Sequence, residues 1–95
     1  MNLKRDDLRP RTRQFALRII RMYGSLPKTG AAKVIAGQML RSGTSVGAHY
    51  AEACHAKSRA DFVCKIEGAM QELEETRYWS ASQKHQRGMR DFSRW

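Results

Sequence analysis

The chain has 95 residues, 41% hydrophobic, 28% charged and 8% aromatic. That length limits it to one domain with a thin core, burying roughly 60–65% of the surface the unfolded chain exposes, and the aromatic content argues against a disordered tail. Eighteen Lys and Arg against nine Asp and Glu leave a net charge of +9, a field that attracts polyanions, while no apolar run approaches the ~18–20 residues needed to span a bilayer.

Residues 1–9 read as a basic N-terminal arm leading to Pro10, which suits the first turn of a helix because its missing N–H costs little there. From there Phe15, Ile19, Met22, Tyr23 and Leu26 recur at i, i+4, i+7, i+8 and i+11, one face of an α-helix. Gly24-Ser25-Leu26-Pro27 ends it. A second helix is expected from about Thr29 to His55, with Ile35, Met39, Ser42, Val46, Tyr50 and Ala53 as its inward stripe at near-heptad spacing. Ser42-Gly43-Thr44-Ser45-Val46-Gly47-Ala48 is poor helix material, since each glycine costs about 1 kcal/mol relative to Ala. The stripe nevertheless stays in phase through it. Gly43 and Gly47, four apart, would let another helix approach closely; the alternative is a break into two helices here.

Ser58-Arg59-Ala60-Asp61 resembles a capping box, with Asp in place of Glu, and Asp61 adds negative charge in the first turn, where the helix dipole favours it. Phe62, Ile66, Ala69, Met70, Leu73 and Thr76 form the third apolar face, with Trp79 at its edge. After Trp79 the pattern collapses. Residues 80–95 read as a polar basic tail or, through Met89, Phe92 and Trp95, a short fourth helix. There is no strand signal, repeat or low-complexity segment.

The charge is concentrated at the two ends. Residues 1–28 carry net +6 and residues 80–95 net +3, against +1 for 29–56 and −1 for 57–79. Arg9, Arg11, Arg13, Arg18 and Arg21 are the leading candidates for phosphate contact, with Lys84, Arg87 and Arg90 secondary. Contacts of that kind position a nucleic acid without reading its sequence.

Catalytic and metal chemistry find little support. Cys54, His55 and Cys64 are the only cluster that suggests a metal, but adjacent residues on a helix point about 100° apart, and structural zinc takes four ligands in paired spacings. Inert thiols are the simpler reading. No nucleophile elbow or phosphate loop is present; Gly43-Thr-Ser-Val-Gly47 lacks the lysine and the preceding strand. The expectation is no enzyme, no cofactor and no metal. Met1-Asn2-Leu3-Lys4-Arg5-Asp6-Asp7 leads into charge and not into an apolar signal segment, and two cysteines do not make a disulfide scaffold. A cytoplasmic location is expected.

If the second and third helices form a hairpin turning near Ala56-Lys57, Arg41 lies beside Glu72 to Glu74 and Glu52 beside Asp61 to Val63. A structural ion pair of Arg41 with Glu72 or Glu74 is expected at the core edge, serving packing register more than net stability.

The run Gln38-Met-Leu-Arg-Ser-Gly-Thr-Ser-Val-Gly-Ala-His-Tyr50, with Ala51-Glu52-Ala53-Cys54, Ala56-Lys57-Ser58, Phe62-Val63-Cys64-Lys65 and Glu72-Leu73-Glu74-Glu75-Thr76-Arg77-Tyr78-Trp79, resembles the bacterial four helix bundle protein family. That family includes the proteins encoded in 23S rRNA intervening sequences and the accessory variability determinant of diversity-generating retroelements. The resemblance covers roughly residues 8–79. It implies an all-α, up-and-down antiparallel bundle that assembles as a homopentamer; the retroelement member binds nucleic acid and a partner reverse transcriptase. Two departures stand out. His49 occupies a position where the family usually has Asn, and the leucine-rich end of helix three and the fourth helix are replaced by the polar stretch after Trp79. The fourth helix is therefore truncated or vestigial, and the apolar face it would cover favours association with other copies.

The leading expectation is a non-enzymatic, basic, oligomeric bundle that binds RNA or DNA through phosphates. The alternatives are a scaffold docking an acidic protein such as a reverse transcriptase, and a degraded family member without present function.

Overall fold

The computed structural model describes the backbone of residues 3–87 and the side chains of residues 8–83. The described chain forms three helices, α1 (Leu3–Ser25), α2 (Gly30–Cys54) and α3 (Arg59–Arg87), with no strand among the described residues. The all-α expectation holds. No fourth helix is among the described elements, and residues 88–95 lie outside the described range.

α1 starts seven residues before the expected position. Leu3–Arg9 is helical and not an arm, and Pro10 sits inside the helix. Proline there removes the backbone bond to the Asp6 carbonyl, but the helix continues through it. At the other end, the Leu26 N–H donates to the Tyr23 carbonyl at 3.2 Å. Lys28 Nζ then donates to the carbonyls of Tyr23 (2.6 Å) and Leu26 (2.7 Å), with its ammonium 4.4 Å from the Tyr23 ring centre. A cation is thus held on the carbonyl end of α1, where the helix dipole favours positive charge. Gly30 takes φ +56° to begin α2, a left-handed conformation that suits glycine.

α2 runs unbroken through Ser42–Ala48. Helix-poor residues are tolerated because three of them satisfy their hydroxyls on their own helix: Ser42 Oγ donates to the Gln38 carbonyl, Thr44 Oγ1 to Leu40 and Ser45 Oγ to Arg41, at 2.7–2.9 Å. The glycines do what their spacing suggests. A Cβ on Gly43 would lie 2.8 Å from Ile19 Cγ1, and one on Gly47 3.4 Å from Thr12 Cβ, so α1 crosses α2 directly over them. Ala36, Met39, Ser42, Gly43, Val46, Tyr50 and Ala53 are the buried residues of α2.

The start of α3 follows the sequence signal, with the Asp61 N–H donating to Ser58 Oγ at 3.0 Å. Its end does not. α3 continues past Trp79 to Arg87, so residues 80–87 extend the third helix and form neither a tail nor a separate element. Thr76, Ser80 and Gln83 are all buried to within 1%. They continue the phase of Ala69 and Leu73, an inward stripe written in polar residues. Most of their polar atoms have partners: Thr76 Oγ1 lies 3.0 Å from Ser42 Oγ and 2.8 Å from the Glu72 carbonyl, and Gln83 Nε2 donates to the Ala32 carbonyl at 3.0 Å, while Gln83 Oε1 is buried without a hydrogen-bond partner.

α1 and α3 both pack antiparallel onto α2. Their backbones stay apart, with no Cα pair within 8 Å between them among the described residues. Phe15, Ile19, Leu26, Ala36, Met39 and Val46 form the core, with Met22, Tyr23, Leu40, Leu73 and Trp79 packed against it. No described helix is long and apolar enough to cross a membrane.

Candidate nucleic-acid interface

The five arginines of α1 do not make one patch. At about 100° per residue, Arg9 and Arg13 fall on one flank of the buried stripe, Arg11 and Arg18 on the opposite flank, and Arg21 on the outer surface between. All five are exposed. Arg11 and Arg18 already take part in interactions of their own, whereas no ion-pair partner of Arg9, Arg13 or Arg21 is found among the described residues. Lys84 and Arg87 lie in the last turns of α3, with side chains beyond the described range, and Arg90 lies outside it altogether.

Arg9 and Arg13 border an open groove of about 340 Å³ between α1 and α2. The α2 wall is Thr44, Ala48, Ala51 and His55, a stripe at i, i+4, i+7 and i+11. Gly47 lies at the floor, where the close helix crossing keeps side-chain bulk out. No carboxylate lines this groove among the described residues. Sequence reasoning placed the arginines but missed the groove and His55, because the rotation of α1 on α2 is decided by the contact of Ile19 with Gly43 and not by either helix's own periodicity.

Two turns before Ala48 on α2, Arg41 reaches α3. Its Nη1 is 3.4 Å from Glu72 Oε1, and its Nη2 pairs with Glu75 Oε1. Of the two carboxylates named from the sequence, Glu72 lies beside Arg41, whereas Glu74 binds Arg77 within its own helix at 2.8 Å. Glu72 and Glu75, three apart, share a face of α3, while Glu74 points about 100° away from Glu75. The hairpin register also lies nearly one turn later than expected: Glu52 meets Lys65, at 3.7 Å, and not Asp61 to Val63. Residues 55–58 form the connection, centred on Ala56-Lys57. The Arg41 side chain is 50% exposed, which makes this a surface network worth little on its own and not a buried pair.

His49 stands beside that network. Its Nε2 is 3.6 Å from Glu72 Oε2, and its ring occupies space left by Gly68, where a Cβ would come within 2.9 Å of Nδ1. Nδ1 is buried without a hydrogen-bond partner. Cys54 and Cys64 are free thiols, and no group of three His, Cys, Asp or Glu side chains gathers to hold a metal among the described residues.

A second groove, wholly apolar, opens between α1 and α3, with Leu8, Val46, Tyr50, Ile66, Met70 and Leu73 on its walls. Met70 is 62% and Phe62 36% exposed, so much of the expected third apolar face lacks a cover among the described residues.

Comparison with curated proteins gives no match. Among solved structures, the chain is similar to a protein of unknown function from the S23 ribosomal protein family of Bacteroides thetaiotaomicron. The two are 36% identical, with a TM-score of 0.82, over 92% of this chain and 78% of that one. The family model for the 23S rRNA-intervening sequence protein matches residues 7–90. With sequence match and fold in agreement, the chain belongs to the 23S rRNA-intervening sequence protein family.

Proposed function

We propose that this protein is a non-enzymatic, cytoplasmic, self-associating helical bundle that binds RNA or DNA through phosphate contacts from α1. The observation that carries the reading is the set of exposed arginines, Arg9, Arg13 and Arg21, left without ion-pair partners among the described residues in a chain of net charge +9. Unpaired surface guanidinium groups are suited to bidentate phosphate contact, and such contacts give affinity without sequence preference. The uncovered apolar groove beside Met70 supports self-association.

The test is fluorescence anisotropy with mixed-sequence RNA and DNA across a salt series. Binding is expected at about 50 mM salt, with log affinity falling linearly against log salt. Absence of binding to both probes at that salt overturns the nucleic-acid reading. It shifts the weight to a scaffold for an acidic protein partner, which would be captured in a nuclease-resistant form. Light scattering measures the assembly separately, and a mass of one chain rejects self-association.

A further inference from the structure

We infer that the groove between α1 and α2 is the nucleic-acid track of this protein, and that its occupant is a single strand laid with its phosphates toward Arg9 and Arg13. The inference rests on the reading of the protein as a nucleic-acid binder and narrows it from a charged helix to one groove.

Three observations converge there. Arg9 and Arg13 are one turn apart on the same flank of α1, about 6 Å along the axis, a separation comparable to that of consecutive phosphates along a strand. Both are exposed, and neither has an ion-pair partner among the described residues. Across the groove His55, next to the end of α2, offers a further ring nitrogen. Between these groups the wall is built of Ala48 and Ala51, with Gly47 at the floor, so a backbone can settle against the helices without meeting a long side chain. The groove lacks carboxylates among the described residues, unlike the α2–α3 side, where Glu72 and Glu75 already neutralise Arg41.

Width decides between one strand and two. Packed helices have axes about 8–10 Å apart, so the trough between two of them admits a single chain of phosphodiesters. A duplex would touch only the rim. Among the described residues no Phe, Tyr or Trp side chain is exposed in this groove: Tyr50 borders it but is buried, and His55 is the one exposed ring. A run of stacked bases on large aromatic rings is therefore not part of the expected mode, and binding should be indifferent to sequence.

The experiment titrates a labelled single-stranded RNA of mixed sequence against four full-length proteins at about 50 mM salt. Against the unaltered chain, Arg9→Ala/Arg13→Ala is expected to bind about ten-fold more weakly and to flatten the log–log salt slope by about 1.4, the value for two phosphate contacts on a single strand. Lys33→Ala/Arg77→Ala, which removes the same charge from positions that do not line the groove, is expected to weaken binding less than three-fold. Ala51→Leu leaves the charge unchanged but fills the groove from an exposed helix position, and is expected to weaken binding about as much as the Arg9/Arg13 pair. Equal losses in the two double variants, or full binding by Ala51→Leu, would show that charge is read diffusely. Either would overturn the groove while leaving nucleic-acid binding intact. No binding by the unaltered chain would overturn both. Circular dichroism of each variant establishes that the helices are retained, and a duplex of the same sequence binding the groove variants and the unaltered chain alike sets the rim contribution.

Discussion

The two ends of the bundle are built on opposite principles. At the end where α1 finishes and α2 begins, Ile19, Ala36, Met39, Ser42, Thr76, Ser80 and Gln83 are all within about 1% of complete burial. At the other end, Phe62, Val63 and Met70 of α3 are 36–62% exposed, and the space between α1 and α3 stays open. Hydropathy alone would assign these ends the other way round, because the closed end of α3 is polar and its open end apolar. Side-chain size and neighbours decide. Serine, threonine and alanine let α3 lie close to α2 at the closed end, where the hydroxyls of Ser42 and Thr76 find hydrogen-bond partners and so avoid the cost of burying unpaired polar atoms, and Gln83 pairs its Nε2 but not its Oε1. At the open end Phe62, Val63 and Met70 of α3 have no third helix against them among the described residues.

This contrast is sharpest for substitutions in the closed half. Ile19→Ala, at a fully buried position, is expected to cost about 2–5 kcal/mol, read as a drop in the urea midpoint at fixed protein concentration. Thr76→Val keeps the shape but removes the hydroxyl facing Ser42 and is expected to cost about 1–2 kcal/mol; a neutral result would mean that the buried polar stripe does not contribute to helix pairing. Glycines offer a paired measurement. Gly43→Ala gains helix propensity but forces a Cβ into Ile19, so a net loss of about 1 kcal/mol is expected. Gly37→Ala, with nothing within 4 Å, is expected to gain about 0.5–1 kcal/mol. Thermal unfolding of the two should move in opposite directions, and equal shifts would sink the close-crossing argument. At the exposed end, Met70→Ser should change subunit stability by less than about 0.5 kcal/mol and show its effect in the solution mass instead. Unchanged association by light scattering would mean the open groove is not the contact between copies.

Much of this architecture was legible. Pro27 and Ser58-Arg59-Ala60-Asp61 marked the helix limits through backbone chemistry that acts locally, and the spacing of Gly43 and Gly47 announced a close helix crossing. Three features were hidden for physical reasons. Pro10 reads as a helix start because proline favours the first turn, yet its lost backbone bond is one that the surrounding helix tolerates. Ser80 and Gln83 read as solvent-facing because burial of a polar side chain depends on a partner from another helix, here the Ala32 carbonyl for Gln83. Arg41 found Glu75 and not Glu74 because Glu75 lies on the face of α3 that carries Glu72, whereas Glu74 points about 100° away, a rotation of α3 that residue positions counted from the turn do not give. The cationic groove was the least legible, since it exists only once two helices have chosen their rotation about one another.

Because α1 and α3 each lean on α2 while keeping their backbones apart, the three described helices form a zigzag in which sequence neighbours dock. Such local topology favours fast folding and lets the outer helices open separately. In a hydrogen-exchange experiment the amides of α2 should outlast those of both flanking helices, with α1 and α3 exchanging as two distinct cooperative units. A strand held in the α1–α2 groove would slow exchange in α1 and leave α3 unaffected, so the protection pattern of a single helix would report where the ligand sits.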